Sequence, residues 1–174
     1  MHTIQYIAVQ ADDVDMAFRT VKHNLEEKLG SGEEINTWFD WFVTGGGRWA
    51  SDESAQYDDN YQGDVVDQDN PKFQEYLDKA KEFRQSTIKE YVEQANKTDI
   101  AKVINSIELS GGDDFRSGMD LYPFSQLYNI TMGMWSYNSY YYDMMTDSTN
   151  MVHLKNSLDN GAKDWYLVPV DFHF

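Results

Sequence analysis

Along residues 3–11, Ile4, Tyr6 and Ala8 face one way and Ile7 and Val9 the other. That period of two, in β-branched and aromatic residues, predicts a strand with both faces at least partly covered. Asp12 or Asp13 then offers an N-cap, and Val14, Ala17, Phe18, Val21, Leu25 and Leu29 fall on one helical stripe that Gly30 closes. Residues 37–43 are short and aromatic and predict a second strand, ended by Gly45, Gly46 and Gly47. Asn70 followed by Pro71 is a helix start, and Phe73, Tyr76, Leu77, Ala80, Phe83, Ile88, Tyr91, Val92 and Ala95 continue at helical spacing to about Lys97. A shorter helix capped by Thr98 or Asp99 carries Ile100, Val103, Ile104 and Ile107, with Gly111 and Gly112 beyond it. Residues 119–146 have no clean period and are expected to mix a short helix with one strand, before another short helix around Val152, Leu154 and Leu158. Residues 165–173 alternate again, predicting a C-terminal strand in which Pro169 requires an edge or an outward-facing position.

The order of elements reads as α+β, a mainly antiparallel sheet with helices on one face, for which a ferredoxin-like core is a candidate. The length of 174 residues suits one domain over 1–174. Within it, residues 50–70 stand out as an acidic loop insertion: Asp52, Glu53, Asp58, Asp59, Asp64, Asp67 and Asp69 occur there without a Lys or Arg. A solvated loop is expected, with a short hairpin near Tyr61 to Val66.

Charge narrows the function classes. Fourteen Lys and Arg against 30 Asp and Glu leave a formal charge of −16. Free nucleic acid and anionic membrane would be repelled. An aromatic share of 15% argues against a disordered acidic tail, and no apolar run reaches the ~18–20 residues of a membrane helix. The N-terminus shows no signal-peptide pattern, and the chain contains no Cys, so cytoplasmic placement is expected and thiolate chemistry is excluded.

Four features carry candidate chemistry. In the first, Gly45, Gly46 and Gly47 allow a tight turn whose free N–H groups form an anion nest. Arg48 adds a planar donor fork, and Trp38, Trp41 and Trp49 offer stacking walls, together suiting a nucleotide-like ligand; a glycine-rich hairpin with core tryptophans and an ion-paired Arg48 is the competing reading. In the second, Asp171 and His173 lie two apart on a strand face as a polar pair, with too few further ligands for a metal. Third, the Met- and Tyr-rich run from Met132 to Met145 suits either a contact surface or a core. Last, the acidic residues of 52–69, with Asp113, Asp114, Asp143 and Asp147, suit either imitation of a phosphate backbone or plain solubility.

Phe39-Asp40-Trp41-Phe42, Gly46-Gly47-Arg48-Trp49 and the terminal Asp171-Phe172-His173-Phe174 resemble a group of small phage-borne and prophage-like proteins. That group carries a W-D-W-Y…G-G-R-W stretch and a final strand ending Asp-Cys-His plus an apolar residue. The match covers about a seventh of the chain; an extra glycine, Thr44, and Phe172 in the place of Cys depart from it. The resemblance implies a phage or mobile-element setting and no mechanism. No Ser-His-Asp order, HExxH or Gly-x-Ser-x-Gly occurs, so an enzyme is the least supported class, and no cofactor is expected. Two binding readings stay open. One is inhibition of a basic, nucleic-acid-handling host defence protein through an acidic, aromatic surface. The other is sequestration of a nucleotide signal at the glycine turn and Arg48. Oligomeric state is open, a homodimer being compatible.

Overall fold

The computed structural model describes residues 1–30, 38–110 and 115–174. Its centre is the antiparallel pair of β1 (His2–Gln10) and β5 (Trp165–His173), in register from His2↔His173 to Gln10↔Trp165. Beyond β5 lie β2 (Trp41–Thr44) and, further along the same edge, the two-residue β3 (Val66–Asp67), both antiparallel to it. On the other side β4 (Tyr141–Asp143) runs parallel to β1. The five-stranded sheet is therefore partly parallel, which replaces the expected ferredoxin-like antiparallel arrangement.

Helices cover both faces, not one. The stripe of α1 (Val14–Gly30) packs Ala17, Phe18, Val21 and Leu25 onto Ile7, Val9, Val168, Val170 and Phe172. The opposite face, with Tyr6, Ala8, Trp165 and Leu167, receives Phe73, Tyr76 and Ala80 of α2 (Pro71–Lys97) and Leu154 of α5 (Val152–Asp159). The physical reason is that β1 and β5 are apolar at odd and even positions alike, so each face needs its own cover. Asp13 and Asn70 cap α1 and α2 as their side chains accept the N–H groups of Met16 and Lys72 at 2.8 and 3.0 Å. The remaining helices, α3 (Ile100–Ser110) and α4 (Phe115–Thr131), pack on each other, and α4 also packs on α2.

Pro169 sits in an inner strand. Its carbonyl accepts the Gly45 N–H at 2.8 Å, so its donor-less nitrogen also points to that side, into the gap between β2, which ends opposite Val170, and β3, which begins opposite Leu167. No ladder bond is lost. Two further expectations change. The second strand starts at Trp41, four residues later than expected, because Trp38 and Phe39 turn into the α1-side core; Thr37 lies outside the described residues. Residues 61–66 form no hairpin, since Val66 pairs with β5 instead. Gly111, Gly112, Asp113 and Asp114 are likewise outside the described residues.

Candidate functional site

The register places His2, Asp171, His173 and Trp41 on one face at one end of the sheet, on the α2 side. The turn after β2 brings Arg48 and Trp49 to the same place. Gly45, Gly46 and Gly47 all have left-handed backbones, φ +93°, +102° and +52°, after which Gly47–Trp49 form a single 3₁₀ turn. Gly47 admits no side chain, since a Cβ there would stand 2.5 Å from that of Asp171. That close approach seats the Asp171 carboxylate against the turn, where Oδ2 accepts the Arg48 backbone N–H at 3.2 Å. At this N–H, the anion held by the turn is the protein's own carboxylate.

Asp171 is fully buried, and its charge is met by two hydrogen bonds and a nearby guanidinium. Besides the Arg48 amide, Oδ1 takes His2 Nδ1 at 2.8 Å, and Arg48 Nε lies 3.8 Å from Oδ2. Arg48 Nη2 in turn lies 2.8 Å from His2 Nε2. A carboxylate only accepts and a guanidinium only donates, so this geometry assigns His2 the neutral Nδ1–H tautomer, relaying Arg48 to Asp171. His173 does not pair with Asp171, although both lie on one face. Its Nδ1 donates to Asp40 at 2.6 Å, and its ring stacks on Trp41 with centroids 5.0 Å apart at 10°. The His173 hydrogen bond holds the Asp40 carboxyl below its usual range. His2 packs edge-on against Trp41 and His173 and lies 6.4 Å from Trp49.

Trp41 and Trp49 are 37% and 43% exposed and Arg48 stays partly exposed beside them, so the cluster faces solvent. Trp38 leaves it: its ring packs against Phe39, Trp135, Phe172 and Phe174 on the other side of the sheet. Sequence reasoning missed His2 and Asp40 as members. The alternation of residues 2–10 against 165–173 held the signal for His2, because pairing the terminal strands end to end sets it opposite His173.

The acidic segment folds into successive turns. Asp52, Asp58 and Asp67 accept the backbone N–H groups of Ser54, Asn60 and Asp69, which is the Asx-turn use of aspartate. Asp59 is tied to Lys22 of α1 at 2.9 Å. Asp52, Glu53, Asp58, Asp59 and Asp69 remain exposed, whereas Asp67 is half-buried and Asp64 is buried. Asp64 therefore drops out of the acidic surface. So does Asp143, which is buried against His153 and the Met145 N–H. Among the described residues no group of three or more His, Asp or Glu is placed to hold a metal ion, and no helix is long and apolar enough to cross a membrane. No protein-family model, curated protein or solved structure matches the chain.

Proposed function

We propose that this chain is a non-enzymatic accessory protein of a phage or mobile element that binds a basic, nucleic-acid-handling host protein in the host cytoplasm and occupies its nucleic-acid site. One observation carries the reading. Asp40, Trp41, Arg48 and Trp49 of one short segment converge with His2 and His173 from the two terminal strands into a partly exposed aromatic patch that runs directly into the acidic turns after Ser51. Tryptophan and arginine are the residues on which interface energy concentrates, and truncating such an anchor typically costs about 2 kcal/mol or more of binding. The surrounding carboxylates, in a molecule of charge −16, steer a cationic partner and compete with a phosphate backbone for it. The alternative of an anion bound in the glycine turn is less favoured, because Asp171 already lies against it.

The test uses immobilised protein and host extract, followed by calorimetry on the partner so identified. Trp41→Ala with Trp49→Ala should weaken binding at least about tenfold. Asp52→Asn with Asp58→Asn keeps the turn acceptors while removing charge, and should weaken binding and flatten its salt dependence. Duplex DNA should compete with the wild-type protein. A partner held equally by all variants and indifferent to DNA would sink the proposal.

A further inference from the structure

On the same side of the sheet as the cluster, but nearer its middle, a cleft of about 330 Å³ opens between Ile4, Tyr6 and Pro169 and the first turns of α2. Trp49 forms the wall it shares with the aromatic patch. A volume of this order suits a small ligand rather than water alone. Two features distinguish it from an ordinary surface dent.

The first is an unfilled acceptor. Asp64 is 3% exposed and lines the cleft. Its Oδ2 accepts the Ser51 N–H at 2.6 Å, but Oδ1 is buried and accepts no hydrogen bond among the described residues. The Lys72 ammonium stands 3.7 Å from Oδ1, beyond hydrogen-bond reach, on a half-exposed flexible stem. A buried carboxylate oxygen left in that state is costly, and a donor that displaces Lys72 relieves it.

The second is aromatic surface around that acceptor. Tyr6 and Tyr76 stack with centroids 4.5 Å apart, and Trp49 and Phe83, each 43% exposed, complete the apolar lining. Formal charges within the cleft cancel: Asp64 faces Lys72, and Glu75 holds Lys79 at 2.7 Å. In a chain of −16, a neutral cleft selects an uncharged ligand by ring stacking and hydrogen bonds rather than by charge.

We propose that this cleft binds the guanine ring of an uncharged nucleoside, with the Asp64 carboxylate accepting the base's N1–H and N2–H donors and Trp49 stacking on its face. Base-edge chemistry selects guanine. Adenine and cytosine each set a ring acceptor beside their amino group, and uracil flanks its N–H with two carbonyls, so each would place an acceptor against a carboxylate. Guanine alone among these presents two adjacent donors, and each carboxylate oxygen retains an acceptor site for one of them. The site is separate from the proposed partner surface except for Trp49.

Calorimetric titration of the full chain with guanosine, adenosine and GMP tests this. Guanosine should bind in about the micromolar to sub-millimolar range, and adenosine at least about tenfold more weakly. GMP should bind no better than guanosine. Asp64→Asn keeps an acceptor for Ser51 while replacing the open acceptor by a donor, and should lose guanosine at least about tenfold. Should that variant fail to fold, Trp49→Ala, an exposed position, should give a comparable loss with an unchanged melting temperature. Absence of guanosine binding at millimolar concentration, equal binding of adenosine, tighter binding of GMP, or full binding by either variant would overturn the proposal.

Discussion

At the scale of single residues, the balance between Arg48 and Asp171 decides what each contributes. Arg48→Ala removes a partly exposed guanidinium, yet the backbone N–H that holds Oδ2 survives, as does the His2 donor on Oδ1. Asp171 therefore keeps both of its hydrogen-bond donors and loses only the more distant guanidinium, so the substitution should cost only about 1–2 kcal/mol. Asp171→Ala is different in kind. It strips His2 and the Arg48 amide of their acceptor and leaves a void beneath Gly47, so a loss of about 3 kcal/mol or more is expected. Urea unfolding of both variants checks the order. Equal losses would mean that the guanidinium, not the neutral donors, keeps the buried carboxylate in place.

Among the elements, α4 is the least legible and shows why. Pro123 lies inside it, where a proline ordinarily stops a helix, and its apolar residues follow no single stripe. Packing on α2 and α3 supplies what local propensity lacks. Arg84 of α2 adds a polar tie, donating from Nη1 to the Thr149 carbonyl at 2.5 Å and from Nη2 to the Ile130 carbonyl, near the C-terminal end of α4, at 2.9 Å. Burial pulls the ionisation of this guanidinium below its ordinary range. Arg84→Met keeps much of the aliphatic volume but strips the Thr149 carbonyl of its donor, while the Ile130 carbonyl keeps the Gly133 N–H at 3.2 Å, so a loss of about 1–2 kcal/mol is expected in thermal or urea unfolding, with faster amide exchange at the end of α4. By contrast α1 and α2 announce themselves, since an aspartate or asparagine cap and a continuous apolar stripe agree along each.

For the molecule as a whole, the many buried tyrosines set its response to alkali. Burial, then Glu75 and Asp64, pushes the Tyr6 hydroxyl from 10.0 up to about 12. Desolvation also raises Tyr76, Tyr91, Tyr141 and Tyr142. Below the unfolded-chain value of 10.0 these phenols are protonated in both states, so their contribution is fully present there. As pH rises from about 10 towards 12 the unfolded chain loses its protons first, and stability falls. Urea midpoints should therefore decline steeply over that window, the tyrosinate absorbance of the buried phenols should appear together with unfolding, and Tyr6→Phe should make the decline shallower. A midpoint unchanged across the window would refute the burial argument.

Local order was written in the chain itself. The apolar periods of 3–11, 13–29, 71–97 and 165–173, with their caps, determine two strands and two helices almost to the residue. The apolar character of β1 on both sides even implied two covered faces. Three consecutive glycines before an arginine allowed a left-handed turn, which Gly45, Gly46 and Gly47 adopt. Tertiary structure alone decided the partners. Whether Asp171 meets His173 or His2 depends on the register between the terminal strands, and whether Trp38 joins Trp41 depends on which face each residue reaches. It also decided that β4 runs parallel to β1 and that Asp64 is buried while its acidic neighbours face water. Periodicity is a property of neighbours two to four residues apart, whereas these pairings join groups up to 169 residues apart, and their geometry exists only once the strands have aligned.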